Sequence, residues 1–228
     1  MPVESMNNIH KENPPTDEKT DKRTPPVVGV LGGIGSGKST VAQWAVSRHS
    51  ICLIDGDQIG HEVLKQEEVK QAILKRFGKE VFNTEENEVD RTILGKLVFG
   101  ASLKSREALA DLEAIVHPEI RKEFSVRISE AKTSGLCDII LLDAAVLLES
   151  EWDVLCDATI FVDTPREERL GRVASQRGWD DAELAKREAC QIPVSDKQKR
   201  ADHVVRNNGS LENAGEQFEA ILKEIQRD

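Results

Sequence analysis

The chain has no apolar run long enough to span a membrane, no basic excess and no closely spaced cysteine pair, and each absence removes a class of function. Its longest nearly apolar stretch, Ile139 to Leu148, is interrupted by Asp143 and is about half the roughly 20 residues that a spanning helix needs. The formal net charge is −10 over 228 residues. That is the wrong sign for a nucleic-acid partner, whose binding surface must displace counterions with lysine and arginine. Cys52, Cys137, Cys156 and Cys190 form no C-x-x-C pair and have no histidine at zinc spacing, which favours reduced thiols over a metal site or a disulfide framework. The amino-terminal segment lacks the apolar core of a secretory signal and is too acidic for a transit peptide, so the expected compartment is cytoplasmic, without membrane association. No internal repeat is present, and nothing in the chain fixes its oligomeric state.

Residues 1–25 are nearly all polar, charged or proline. Such a segment cannot bury enough apolar surface to offset its ordering entropy, and a disordered tail is expected there. Residues 26–228 read as one α/β domain. Val27 to Leu31 is a short apolar run that feeds into glycines, and Val41 to Val46 continues with helical character. Ile51 to Ile54 is a second run ending at Asp55, which places Asp55 and Asp57 just beyond a strand's carboxyl end, the edge where open α/β sheets bind ligands. A helical insertion is expected over residues 58–135, with Val69, Ile73 and Phe77 on one face and Leu103, Leu109, Leu112 and Ile115 more loosely on another. Ile139 to Leu142 and Ala158 to Val162 read as buried parallel strands. Residues 165–202 are charged on a helical background, Val204 and Val205 form a short strand, and Leu211 to Ile225 is an amphipathic helix.

The segment Gly32-Gly33-Ile34-Gly35-Ser36-Gly37-Lys38-Ser39 satisfies G-x-x-x-x-G-K-[ST], between the strand and the helix that a P-loop requires. Glycines let successive backbone N–H groups point at phosphate oxygens where a side chain would block their approach. Lys38 supplies charge to the β- and γ-phosphates, Ser39 offers a hydroxyl to Mg²⁺, and the helix dipole begins at the same place. Gly33, Gly35, Ser36, Gly37, Lys38, Ser39 and Thr40 are therefore the candidate ATP cradle. A P-loop does not by itself choose an enzyme class. An N-K-x-D guanine-reading motif is absent, and no apolar strand ends in the D-E pair that motor ATPases often use.

Other residues narrow the choice. The run V-G-V-L-G-G-I-G-S-G-K-S-T-V-A followed by I-D-G-D-Q-I, then Arg91 in V-D-R-T-I-L, His117 in I-V-H-P-E-I, L-D-A-A-V-L-L-E, K-R-E-A-C-Q-I-P and A-D-H-V-V-R-N-N-G-S together resemble the dephospho-CoA kinase family from about Val27 to Leu211. Three positions depart from its usual pattern: Ala145 where proline is usual, Arg206 where aspartate is usual, and Arg169 where glutamine is common. The resemblance implies a three-layer P-loop kinase fold with a parallel sheet, a helical acceptor-binding insertion at 58–135 and a lid at 165–202. It also implies two substrates, ATP and dephospho-CoA, with phosphoryl transfer to the ribose 3′-hydroxyl.

By the same resemblance Asp57 orients the hydroxyl and takes its proton, with Lys38 beside the phosphates. Arg91, His117 and Glu149 face the acceptor, Arg172 and Arg177 reach ATP from the lid, and Asn207 lies by the expected adenine loop. Asp55 and Ser39 are the candidate Mg²⁺ residues, and Asp143 stands at a strand end where a metal-associated carboxylate is expected. Plainer readings stand beside these: Asp57 as the N-cap of a helix starting near Gln58, His117 as a packed or exposed turn residue before Pro118, and Trp44, Trp152 and Trp179 as packing residues. Two rival functions stay open, a kinase for another nucleotide or nucleoside and a nucleotide-binding adaptor without turnover.

Overall fold

The computed structural model describes residues 24–83, 87–100 and 102–227. The tail expected over residues 1–25 lies outside them as far as residue 23. In chain order the first unit is β1 (Val27–Gly32), α1 (Lys38–Val46) and β2 (Ile51–Asp55). Next come α2 (Gly56–Val63), α3 (Glu67–Phe77), a small antiparallel pair β3 (Phe82–Asn83) and β4 (Glu88–Val89), α4 (Arg91–Val98) and α5 (Leu103–Ser134). The chain then returns through β5 (Ile139–Asp143) and β6 (Ala158–Asp163), followed by α6 (Arg166–Arg177), α7 (Asp181–Glu188), α8 (Val194–Arg200), β7 (His203–Arg206) and α9 (Leu211–Ile225).

The five long strands form one parallel sheet in the order β2-β5-β1-β6-β7. Period-two alternation on β1 divides its side chains between two cores. Val28 and Val30 pack with Val41, Ala45, Phe218 and Leu222 of α1 and α9 on one face, while Val27 and Leu31 pack with Ile59, Ile73, Phe124 and Leu142 on the other. The result is the expected α/β sandwich of three layers. Strand register aligns Asp55 with Asp143 across β2 and β5, so two carboxylates stand together at the carboxyl edge next to the glycines that follow β1.

The segment between β2 and β5 is mostly helical, as its pattern predicts, with the β3–β4 pair as an addition. Val69, Ile73 and Phe77 are buried on α3. On α5, Leu109, Leu112 and Ile115 pack against the core whereas Leu103 is 72 % exposed. The His117-Pro118 pair does not make a turn; Pro118 lies inside α5, where it removes one backbone hydrogen bond. Among the described residues no helix is long and apolar enough to cross a membrane.

Two of the cysteines correct the expectation of reduced thiols. Cys52 on β2 and Cys137 just before β5 are disulfide-bonded, with Cα atoms 5.6 Å apart. Sequence spacing missed this because the pair is brought together only by the pairing of β2 with β5. The bridge closes a loop that contains the whole of α2 to α5. Cys156 and Cys190 are free, and burial pushes the Cys156 thiol up to about 12, with Asp153, Asp157 and Asp202 adding to the effect.

Helix α9 is capped by Ser210, which accepts from the Asn213 N–H at 3.2 Å, and buries Phe218 and Leu222 against the sheet, each burial contributing about 1.5–3 kcal/mol. Its approach to α1 depends on Gly215, because a Cβ there would sit against the Trp44 ring well inside the 3.0 Å that real Cβ atoms keep. Gly215→Val is expected to destabilise the fold by about 2 kcal/mol through overpacking and to lower the thermal midpoint by about 4–8 °C in circular dichroism. Gly209→Ala, where the added atom meets nothing within 4 Å, serves as the control. An unchanged midpoint for Gly215→Val would contradict this seating of α9.

Candidate active site

The phosphate loop is shaped by glycines at its bends and by donors behind it. Gly35 and Gly37 have φ of +76° and +84°, backbone that other residues adopt at a cost. Gly37 is the N-cap of α1, and the first N–H groups of that helix have no acceptor within it. The loop's carbonyls turn away from this side. The Gly33 oxygen accepts from the Ser36 N–H at 3.1 Å, and the Ile34 oxygen accepts from Arg169 Nη1 at 3.2 Å. The Ser36 oxygen accepts from Asn207 Nδ2 at 2.7 Å, Thr164 Oγ1 at 2.8 Å and Arg172 Nη1 at 2.9 Å. With the carbonyls satisfied from behind, the N–H groups and the dipole of α1 are left for an anion. Ser36 is buried, and its Oγ has no partner among the described residues.

Charge at the strand edge is mixed and close. Burial pushes the Lys38 ammonium below the usual lysine range; Asp143 and Asp57 counter this, whereas Lys197 and Arg177 add to it. Burial raises the Asp143 carboxyl, with Lys38 and a hydrogen bond from Ser39 pulling it back and Asp55 and Asp57 pushing it further up. The site thus holds a partly desolvated cation and several carboxylates, a balance that phosphates arriving with a divalent cation would complete.

Helix α2 begins at Gly56, and its cap is Asp55, whose Oδ1 accepts from Asp57 N at 2.9 Å and Gln58 N at 3.0 Å. Asp57 therefore does not cap. It sits in the first turn, exposed, and no hydrogen bond or ion pair holds its carboxylate among the described residues. Asp57, Lys38, Ser39, Asp55 and Asp143 all line one cavity of about 570 Å³.

From these residues the cavity runs under the helices that follow β2. Arg91 at the start of α4 and His117 in α5 both line it, as do Leu109, Leu112, Val116 and Ile120. Burial lowers the His117 pKa; its Nε2 lies 3.5 Å from Ser150 Oγ, and its ring meets the edge of Trp152 at 5.1 Å. Trp152 is a packing residue, buried against Phe124 as well, and Trp44 packs on α9. Trp179 is different, for it lines the cavity and carries Arg177 at 4.9 Å and Arg187 at 4.8 Å over its ring. Arg187 also lies 4.3 Å from the Phe99 ring. The reading of Trp179 as mere packing is corrected accordingly.

Several expected residues are placed elsewhere. Glu149 is outside the cavity wall: its Oε1 pairs with the buried Lys197 Nζ at 2.6 Å and accepts from Ile192 N at 3.0 Å, while Oε2 is buried without a partner among the described residues. Lys197 Nζ also donates to Gln191 Oε1 at 3.1 Å and to the Ala145 carbonyl at 3.3 Å, so Ala145 joins this network through its backbone. Arg172 and Asn207 brace the loop from behind, and Arg177 faces the cavity. Thr40 lies in the first turn of α1, exposed. Arg206 is exposed at the end of β7, its backbone N–H and carbonyl both bonded to Gln217, at 3.1 Å and 3.2 Å. Thr164 is a loop-supporting residue that motif reading missed; its only sequence signal is its place between the end of β6 and Pro165.

Comparison with known proteins agrees with this geometry. The dephospho-CoA kinase family model matches residues 26–213. The dephospho-CoA kinase of Carboxydothermus hydrogenoformans is 38 % identical over 199 residues, covering 87 % of this chain and 93 % of that protein. A solved structure from Thermus thermophilus superposes with a TM-score of 0.72 at 34 % identity, covering 89 % of this chain and 99 % of the other. The dephospho-CoA kinase structure from Campylobacter jejuni gives 0.64 at 25 % identity, covering 88 % and 97 %. With the strand-edge carboxylates, the braced phosphate loop and a family match over most of its length, the chain belongs to the dephospho-CoA kinase family.

Proposed function

We propose that the chain transfers the γ-phosphoryl group of ATP to the ribose 3′-hydroxyl of dephospho-CoA, giving coenzyme A and ADP. One observation carries this reading: the cavity is continuous from Lys38 and Asp57 to α4 and α5, so a donor phosphate and an acceptor hydroxyl can meet in one cleft. Away from the phosphate loop it joins an apolar wall of Leu109, Leu112 and Val116 to the cations Arg91 and Arg187. That pairing suits an acceptor with a charged nucleotide end and an uncharged arm.

Such transfers depend mainly on positioning and charge neutralisation. Lys38 and the N–H groups at the start of α1 hold the phosphates. Asp57, with its carboxylate unengaged, hydrogen-bonds the acceptor hydroxyl and takes its proton as the new P–O bond forms. The acceptor-binding role falls to residues 58–135, with Arg91 and His117 on the cavity wall, and residues 165–202 form the lid, from which Arg177 meets the phosphates. Arg172 and Asn207 act on ATP through the loop they brace. Glu149 acts behind the wall through Lys197.

The donor set also fits Mg²⁺. Ser39 and Asp143 are joined by a side-chain hydrogen bond and Asp55 is aligned with Asp143, an arrangement of hard oxygen ligands. Mg²⁺ usually binds through one or two carboxylates plus substrate phosphates and keeps several waters, a demand that this small donor set would meet. Ser39, Asp55 and Asp143 would hold the ion, which would supply charge neutralisation for the phosphates.

Steady-state assays with MgATP and a panel of acceptors test the acceptor. Dephospho-CoA should be the preferred acceptor, and NMR should place the new phosphate on the ribose 3′-oxygen; better turnover of AMP or a nucleoside would overturn the assignment. Asp57→Asn should lower kcat by about 10²-fold or more with little change in the KM for ATP, and wild-type kcat in that variant would remove the proposed base. Lys38→Ala should lower kcat/KM for ATP by about 10²–10³-fold, a result that full activity would contradict.

A further inference from the structure

The Ile34 carbonyl is held by a side chain that phosphoryl transfer itself does not use. Arg169 on α6 is 5 % exposed. Its Nη1 donates to Ile34 O at 3.2 Å and its Nε to Thr164 O at 3.2 Å, and the same Nη1 pairs with Glu188 at the end of α7. The guanidinium lies directly against the loop, since a Cβ on Gly33 would come within 3.0 Å of Nη1. Glu188 is the more accessible partner, and its second oxygen is 3.8 Å from Arg166 Nε. Among the described residues no other hydrogen bond or ion pair joins α7 to residues 33–40.

This connection has two physical consequences. Moving α7 away would withdraw Glu188 and leave a buried guanidinium unpaired, which is strongly unfavourable. Shifting Arg169 to follow Glu188 would release the Ile34 carbonyl and let the peptides of the phosphate loop rotate. The seat of α7 and the shape of the loop therefore cannot change independently. We propose that Arg169 and Glu188 form a strut that couples the lid helix α7 to the phosphate-binding conformation of the P-loop, with Arg169 a positioning residue for ATP. The proposal rests on the ATP site described above and is independent of the acceptor's identity.

A double-mutant cycle of Arg169→Gln, Glu188→Gln and the pair tests it, with MgADP affinity measured by calorimetry and KM values for both substrates. Each single change should weaken MgADP binding about tenfold, and the double change should be no worse than the weaker-binding single, the signature of one shared interaction. The KM for dephospho-CoA should stay within about twofold. Arg169→Lys, which keeps the charge but loses the fork, should behave like Arg169→Gln. Tighter binding in Glu188→Gln would mean that the carboxylate only screens the cation and would overturn the strut, as would independent multiplication of the two effects or affinities unchanged within about twofold. If the Arg169 variants fail to fold, Glu188→Gln and Glu188→Ala decide the matter on MgADP affinity alone. Failure of wild-type protein to use dephospho-CoA would sink the acceptor reading and leave this cycle interpretable.

Discussion

The Ser36 carbonyl oxygen accepts hydrogen bonds from Asn207, Thr164 and Arg172, and the phosphate site depends on this convergence. A loop that presents its N–H groups to an anion must turn its carbonyls the other way, and a buried carbonyl needs a donor. Here the donors come from the residue after β7, the residue after β6 and helix α6. The sheet brings them there because β6 lies between β1 and β7. An eight-residue motif is therefore functional only within a fold that carries elements from more than a hundred residues later to its back.

The other half of the site is organised by one capping choice. Because Asp55 ends β2 and caps α2 with its own carboxylate, the next acidic residue, Asp57, is placed on the first turn, its carboxylate without a hydrogen bond or ion pair among the described residues. Asp143, aligned with Asp55 by strand register, bonds Ser39 and faces Lys38. Each carboxylate thus stands in a different setting, one capping a helix, one bonded to Ser39 and one on an exposed first turn, set by its position on a strand end or helix turn. The helices between β2 and β5 build the wall opposite, and the Cys52–Cys137 bridge ties the base of that excursion to the sheet.

What could be read from the sequence was whatever is encoded locally. The P-loop, the strand ending at Asp55, the buried strands and the α9 stripe all follow from short-range pattern, and the structure has them at those positions. Features that depend on long-range contact were not legible. The cysteines are 85 residues apart and meet only through strand pairing. Trp179 gives no sign in sequence that it will hold two arginines. Glu149 could be located after a strand but not oriented, and its oxygen is engaged by Lys197 from α8. Arg169 stood out as a departure in type, and only the tertiary structure supplies its partners Ile34 and Glu188.

The claim that the carbonyl brace creates the phosphate site is tested most directly by calorimetric titration of MgADP into Asn207→Ala. Losing the 2.7 Å hydrogen bond to the Ser36 oxygen should weaken binding about tenfold, the equivalent of about 1.4 kcal/mol, with the protein still folded. Affinity equal to that of the unsubstituted protein would contradict the account.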